Sequence, residues 1–263
     1  MLSLPLADDL RAARLPALAS AWEVWSADPT HANLDAESCV RFLLEAHRQS
    51  QSQTKVEAFF REARLATHFA LCTFEGGRTV GLEAHRLAHL RSMSWARLGQ
   101  TVVITGPTLS GKTHLAAALG REAVAQGFRT TLLQVPRLLD RLLDPDLTGT
   151  ERKRYFRALS RVQLLILDDF ATEPSGSERT MQLRRLLDER SRAGLPLIVT
   201  SIKAVDEWDG AFEEEASREG IYGRILGGAC HRVALNRRAR SSHGTRAASG
   251  ATAKRKATVP ARG

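Results

Sequence analysis

Cysteine and long apolar runs are scarce in this 263-residue chain, and each scarcity excludes a class of protein. The three cysteines, Cys39, Cys72 and Cys230, lie far apart without the spacing of a metal site, which suits thiols in a reducing cytoplasm. No run of about 18 apolar residues occurs, so the sequence predicts no transmembrane helix and no membrane partner. The opening residues, MLSLPLADDLR, lack the pattern of a secretory signal. We therefore expect a cytoplasmic protein.

Acidic residues are absent from residues 237–263, although that segment holds eight arginines and lysines. The net charge of the whole chain is +9, so the residues before this tail are nearly neutral. The tail is also rich in Ala, Ser, Gly and Thr, with little to bury, which predicts disorder. A basic disordered tail often contacts nucleic acid, but a solvated solubility tail or sequence beyond the folded domain is an equal alternative.

The stretch VVITGPTLSGKTHLAAALG, residues 102–120, has the spacing of a phosphate-binding P-loop between a buried strand and a helix. Its glycines let backbone N–H groups approach phosphate oxygens, and the helix directs its positive end at the anion. Lys112 is expected to reach the β- and γ-phosphates of ATP, and Thr113 to bind Mg²⁺. The predicted nucleotide-binding residues are Gly106, Pro107, Thr108, Leu109, Ser110, Gly111, Lys112 and Thr113.

A second stretch, VQLLILDDF, has four apolar residues that lead into Asp168 and Asp169. A buried strand that ends in an acid matches the Walker B element of P-loop ATPases. Asp168 is expected to hold the Mg²⁺ shell, and Asp169 to orient or deprotonate the attacking water. A helix or loop start capped by an acid is the common alternative.

Two hydroxyl residues, Thr200 and Ser201, end a later apolar run. In ATPases with an extra strand between the P-loop and Walker B strands, a polar residue at this point senses the γ-phosphate. Either residue could do so, or both could be ordinary hydroxyls at a strand end.

Alternating strand and helix patterns after residue 100 predict an α/β fold, with a parallel P-loop sheet covered by helices on both faces. Helical periodicity without strand-like alternation fills residues 1–90, with a loop at 73–81 and a helix over 82–98. We expect a helical N-terminal domain (1–90), an ATPase domain (91–236) and the basic tail (237–263). The predicted strands are 102–105, 130–135, 163–167, 196–200 and 231–235, and the predicted helices of the ATPase domain are 112–125, 136–143, 150–160, 177–193 and 216–227.

Taken in order, these motifs resemble AAA+ ATPases and, more closely, the IstB-like ATP-dependent helpers of insertion-sequence transposition. The resemblance runs from about residue 4 to residue 235 and extends to DnaC-type helicase loaders. The motifs that carry it are TGPT-x-x-GK, PRLL at 136–139, LLILDDF with EP at 173–174, IVTS with VDEW at 205–208, and the GRIL segment that contains Arg224.

The resemblance implies a homo-oligomer that assembles on double-stranded DNA under control of ATP and Mg²⁺ and recruits or activates a transposase. It also implies that Arg224 completes the nucleotide site of a neighbouring subunit, although a surface arginine on a late helix is the alternative. A helicase loader, a non-hydrolysing nucleotide-binding protein and a small-molecule phosphotransferase are the other functions considered. A phosphotransferase would also need an acceptor pocket and usually an arginine-rich lid.

Three residues depart from the usual AAA+ pattern. Asp169 stands where many AAA+ proteins have Glu, Ile202 where a polar residue often follows Thr-Ser, and Gly223 where an aspartate precedes the arginine. These departures bear on the rate of hydrolysis and not on nucleotide binding.

Overall fold

A computed structural model of the chain describes residues 4–63, 65 and 82–236. Its centre is a five-stranded parallel sheet in the order β2-β3-β4-β1-β5. The strands are β1 (Thr101–Thr105), β2 (Thr130–Gln134), β3 (Leu164–Asp168), β4 (Leu197–Ser201) and β5 (Cys230–Ala234). The helices are α1 (Leu4–Ala12), α2 (Pro16–Ala27), α3 (Ala36–Ala63), α4 (Ala84–Arg91), α5 (Ser94–Arg97), α6 (Lys112–Ala125), α7 (Val135–Leu143), α8 (Gly149–Arg161), α9 (Ser177–Arg192) and α10 (Glu215–Leu226), with 3-10 turns at Pro29–Asn33 and Val205–Ala211.

Alternate residues of the strands face two separate apolar layers, because successive strand side chains point to opposite faces of a sheet. Val103, Leu165 and Val199 pack with α7 to α10 on one face. Val102, Ile166 and Ile198 pack with α4, α5 and α6 on the other face. The predicted α/β fold class with helices on both faces is confirmed, and the strands and helices expected after residue 100 occur within two residues of their predicted bounds.

The order of the strands places β1, which leads into the P-loop, close to β3, which ends in Asp168. β4 lies between β1 and β3, so the strand that leads into the P-loop and the strand that ends in Asp168 flank a shared neighbour. All five strands run in the same direction, so their carboxyl ends form one edge of the sheet. Ligand sites in such sheets form at that edge.

The helix predicted over residues 82–98 is wrong in one respect, because it is two helices. Met93, with φ of 55°, adopts the left-handed conformation and separates α4 from α5. The break buries both Met93 and Trp95, and the Trp95 indole Nε1 donates to the Leu90 carbonyl at 2.9 Å. Burial of these two large side chains outweighs the local cost of a left-handed methionine.

The described N-terminal residues form helices joined by short connections and contain no strand, as predicted, whereas the predicted loop at 73–81 lies outside the described residues. Trp25 stacks on His31 with ring centroids 4.1 Å apart, and α2 packs between α1 and α3. The last turns of α3 pack on α6 and β2 through Phe59, Phe60 and Ala63. Leu82 and Leu90 are buried against β1, so packing continues across the predicted boundary at residue 90. None of the helices described in the structure is long and apolar enough to cross a membrane.

A buried arginine joins three elements behind the sheet. Arg190 of α9 is 2% exposed, and its guanidinium donates to the carbonyls of Leu159, Val162 and Pro196 at 2.7 to 3.0 Å. Burial lowers the pKa of Arg190 to about 10, so the group remains charged at neutral pH. The end of α8, the end of α9 and the start of β4 are thereby held in fixed relation.

Candidate functional site

The predicted P-loop forms a tight turn between β1 and α6. Gly106 and Gly111 have φ of +149° and +92°, values that glycine adopts readily. A Cβ atom at Gly106 would lie 2.3 Å from the Leu235 carbonyl oxygen, which excludes any other residue without a backbone shift. Pro107, Thr108 and Leu109 form the exposed crest of the loop. The loop is therefore shaped as the motif predicts.

Two buried polar groups in the loop favour a phosphate ligand. Lys112 is 7% exposed and donates through Nζ to the Pro107 carbonyl at 2.9 Å. The Ser110 hydroxyl is fully buried and has no hydrogen-bond partner in the structure. The first N–H groups of α6 also lack partners within the helix, as at every helix start. An anion with several oxygens satisfies all of these donors, so the loop fits the phosphates of a nucleotide.

Asp168 lies at the end of β3 with hydroxyl groups from two other elements against it. The Thr113 hydroxyl of α6 donates to Oδ1 at 3.0 Å, and the Thr200 hydroxyl of β4 donates to the same oxygen. The carboxylate is 2% exposed. A carboxylate beside a hydroxyl supplies the hard oxygen atoms that Mg²⁺ prefers, so the residues fit the predicted metal.

Asp169 follows Asp168 in the left-handed conformation, with φ of +58°, which aspartate tolerates better than most residues. Its backbone N–H donates to the Thr200 hydroxyl at 3.2 Å, and its Oδ2 accepts from the Gln134 amide at 3.3 Å. Burial, and then the charge of Asp168, raise the pKa of Asp169, whereas Lys112 and Gln134 lower it. Burial lowers the pKa of Lys112, and both carboxylates oppose that shift. A carboxyl group with a raised pKa accepts a proton more readily than an exposed aspartate.

The two hydroxyl residues at the end of β4 have different surroundings. Thr200 lies between the two aspartates, as described above. The Ser201 hydroxyl accepts from the Trp208 indole at 3.1 Å and from the Lys203 N–H at 3.2 Å, on the opposite face of the sheet. Of the two residues that the sequence left open, the structure brings only Thr200 to the Asp168 carboxylate and to the backbone of Asp169. Ile202, which replaces the usual polar residue, is 39% exposed just beyond them.

Gln134 is a site residue that the sequence analysis missed. It ends β2, where it is paired in register with Asp168 of β3. That register brings its amide to Asp169. A polar residue at the end of TTLLQ, an otherwise strand-like run, was the available signal, but the pairing of β2 with β3 could not be read from the sequence.

Arg224 lies at the opposite edge of the sheet from the P-loop. It lines a cavity of about 300 Å³ with Thr101 and Leu197, the first residues of β1 and β4. Its Nε is paired with the Asp188 carboxylate of α9, and its Nη1 donates to the Gly220 carbonyl at 2.8 Å. The structure therefore does not bring Arg224 to the other predicted site residues of its own chain.

A wide basic cleft of about 1690 Å³ opens next to the site, along the outer edge of β2. Thr113, Gln134 and Asp168 line one end of it, and Glu62 is its other acidic residue. Its basic residues come from α3, α7, α8 and the turn before β2. They are Arg61, Arg129, Arg137, Arg141, Lys153, Arg154, Arg157 and Arg161. Although the folded part of the chain is nearly neutral in total, its positive charge is concentrated beside the site.

The Thr200 hydroxyl is expected to be needed for turnover, whereas the neighbouring Ser201 hydroxyl is not. Thr200→Val keeps the shape of the side chain and removes the hydroxyl that links Asp168 to Asp169. ATP turnover should fall roughly tenfold or more while the affinity for ATP changes far less, because the Asp168 carboxylate and the Asp169 backbone lose the hydroxyl that holds them in fixed relation. Ser201→Ala should leave turnover within about twofold and lower stability by about 1 kcal/mol. Equal losses of turnover in both variants would contradict this assignment.

Among known proteins, this chain is similar to ATP-binding proteins of insertion sequences. An insertion-sequence ATP-binding protein of Mycobacterium tuberculosis is 29% identical over 191 residues, which cover 70% of this chain and 74% of that protein. An IS21-like ATP-binding protein of Bacteroides fragilis is 29% identical over 162 residues, which cover 62% of this chain and 61% of that protein.

Solved structures share the fold. The AMPPCP-bound DnaA of Aquifex aeolicus has a TM-score of 0.53 at 20% identity, over 65% of this chain and 51% of that one. DnaI has a TM-score of 0.53 at 19% identity, over 66% of this chain and 93% of that one. At such identities the likeness establishes the AAA+ fold alone.

The family assignment follows from a match over most of the chain. The family model described as IstB-like ATP binding protein matches residues 8–247. The motifs that carried the resemblance, the parallel sheet and the phosphate-binding loop all lie within that match. The chain therefore belongs to the family of IstB-like ATP-binding proteins.

Proposed function

We propose that this protein is a helper ATPase of transposition, which assembles on double-stranded DNA under control of ATP and recruits or activates a transposase. The observation that carries the proposal is the separation of the candidate site residues between the two ends of the strands. The P-loop and both carboxylates lie at one edge, and the candidate arginine lies at the other. The insertion-sequence origin of its relatives supports the role in transposition.

The proposed reaction is the hydrolysis of ATP to ADP and phosphate. Lys112 and the α6 N–H groups hold the phosphates, and Thr113 and Asp168 are the residues that would hold Mg²⁺. When bound, Mg²⁺ supplies positive charge against the phosphate oxygens. Asp169 orients a water molecule and accepts its proton as the water oxygen bonds to the γ-phosphorus and the bond to the β-phosphate oxygen breaks. The raised pKa of Asp169 suits this role.

Arg224 is proposed to act on the nucleotide of a neighbouring copy. The strands have five residues, so the two edges of the sheet are roughly 13 Å apart at 3.3 Å per residue. An arginine side chain anchored at one edge by Asp188 cannot reach a phosphate at the other edge. A head-to-tail contact between copies brings the two edges together, and repetition of that contact builds a ring or a filament.

The basic cleft supports DNA as the ligand of the assembly. Lys153, Arg154, Arg157 and Arg161 are exposed along α8, at spacings that follow one side of the helix. A phosphate backbone in this cleft would lie next to Gln134 and Asp168, which line its far end. DNA bound in the cleft would therefore lie next to the bound nucleotide. The basic tail is a second candidate for DNA contact and lies outside the described residues.

A replicative helicase loader with the same fold is the alternative function, since DnaI has a similar structure. The relatives from insertion sequences favour transposition. A binding protein that does not hydrolyse ATP remains the alternative if Ile202 prevents hydrolysis. The aligned pair of Asp169 and Thr200 favours hydrolysis over binding alone.

Mixed assemblies test the division of the site between copies. Arg224→Ala and Asp169→Asn each remove a different half, so each variant alone should bind ATP and show little turnover. In an equal mixture, about a quarter of head-to-tail interfaces combine an intact nucleotide site with an intact arginine. Turnover should therefore return to about a quarter of the wild-type value. No recovery at any ratio would mean that Arg224 does not act on a neighbouring copy.

A variant of Lys112 distinguishes loss of the trans-acting arginine from loss of nucleotide binding in the mixing experiment. Lys112→Ala removes the ammonium group that faces the phosphates, so it should lose ATP binding. Such subunits should give no recovery with Arg224→Ala partners if binding of nucleotide is needed for assembly. Unchanged affinity for an ATP analogue in Lys112→Ala would contradict the P-loop assignment itself.

The salt dependence of DNA binding tests the cleft. Replacement of Arg154, Arg157 and Arg161 by Gln should reduce the slope of log affinity against log salt by up to about 2.7, since each phosphate contact contributes about 0.9. The loss should be equal for all DNA sequences, because phosphate contacts do not specify bases. Replacement of the exposed Arg48, Arg91 and Arg192, which lie outside the cleft, is the control. Equal slopes for both triple variants would exclude the cleft as the DNA surface.

A further inference from the structure

Arg224 is held by its own chain through a carboxylate from a different helix. Asp188 of α9 pairs with the Nε of Arg224 on α10, and the Gly220 carbonyl accepts from Nη1. The side chain of Asp188 is 18% exposed and that of Arg224 is 33% exposed. The carboxylate thus lies mostly below the surface, while the guanidinium reaches it.

Asp188 occupies a position where local preferences oppose an aspartate. It lies within α9, away from the start of the helix, and aspartate is a poor residue for a helix interior. A residue that opposes this preference is expected to have a compensating partner, and such residues concentrate at functional sites. Arg224 is that partner in the structure.

The contacts of Arg224 with Asp188 and Gly220 leave part of its guanidinium available to a second molecule. A guanidinium has five N–H donors; Nη1 donates to the Gly220 carbonyl, and Nε forms an ion pair with the Asp188 carboxylate without a hydrogen bond between them. The Nη2 group has no hydrogen bond in the described part of the chain. The ion pair with Asp188 and the hydrogen bond to Gly220 restrict the rotamers of the arginine, so less conformational entropy is lost when a phosphate binds.

We propose that Asp188 is a positioning residue, which orients Arg224 for the nucleotide held by the neighbouring copy. The inference rests on the proposed role of Arg224. Asp188 itself touches neither the nucleotide nor the water. Two other roles for the pair are possible in physical terms: a tie that only holds α9 to α10, and a lock that withholds Arg224 from the neighbour. Each of them predicts a different experimental result.

The first test is turnover in the assembled full-length protein. Asp188→Asn keeps the size of the side chain and removes its charge. Turnover should fall roughly 10- to 100-fold, because a poorly oriented group loses most of its effect, while the affinity for ATP stays unchanged. Glu189→Gln, which removes the next carboxylate of the same helix, is the matched control and should keep wild-type turnover. Unchanged turnover in Asp188→Asn overturns the proposal, and so does increased turnover, which would identify a lock.

The second test asks which copy carries the defect. Asp188→Asn subunits mixed with Asp169→Asn subunits should regain about a quarter of wild-type turnover at equal amounts, because the Asp169→Asn copy supplies a well-oriented Arg224. A tie between helices would damage the variant's own site, and mixing would restore nothing. The double variant Asp188→Asn with Arg224→Ala should be no slower than Arg224→Ala alone. A further loss in the double variant would overturn the proposal.

A third variant keeps the test valid if Asp188→Asn is less stable. Asp188→Glu retains the charge and should recover at least half of the lost turnover. Recovery of the thermal midpoint without recovery of turnover would overturn the positioning role. These results differ from a failure of the proposed function, because in that case Arg224→Ala itself would have normal turnover.

Discussion

The buried carboxylate of Asp168 is the constraint on which the rest of the site depends. An ionised group that is 2% exposed is costly unless hydrogen bonds compensate, and hydroxyls from α6 and β4 supply them here. These two contacts bind the P-loop helix, the Walker B strand and the strand between them into one unit. The same threonine of β4 also accepts from the backbone of Asp169, so the position of the second carboxylate follows from that of the first.

The direction of the strands extends this local constraint to the whole molecule. A parallel sheet collects its strand ends at one edge, and the P-loop and both aspartates occupy that edge. Because β5 is parallel to the other strands, α10 must end near the opposite edge, where β5 begins. Arg224, in the last turn of α10, lies at that edge and lines the same cavity as the buried Arg190. The fold therefore separates the arginine from the phosphates within one copy. In the proposed function, head-to-tail assembly turns that separation into a site shared by two copies, which would link hydrolysis to assembly.

Much of the fold could be predicted from the sequence because local patterns specify it. The β-branched run before Gly106, the apolar run before Asp168 and the glycines after α6 and α9 each mark an element by short-range chemistry. Contacts that depend on strand pairing could not be predicted from these local patterns. Gln134 meets Asp169 only because β2 pairs with β3, and Ser201 turns to Trp208 only because alternate strand residues face opposite layers. The concentration of arginines in one cleft likewise depends on how α3, α7 and α8 pack beside β2.

In the proposed function, ATP hydrolysis requires contact between copies of the chain. The most direct measurement is the turnover of ATP per subunit over a wide range of protein concentrations, with and without duplex DNA. The account predicts that turnover per subunit rises steeply with concentration, and that duplex DNA moves this rise to lower concentration. The same turnover per subunit at every concentration would contradict the account, since a single copy would then contain a complete site.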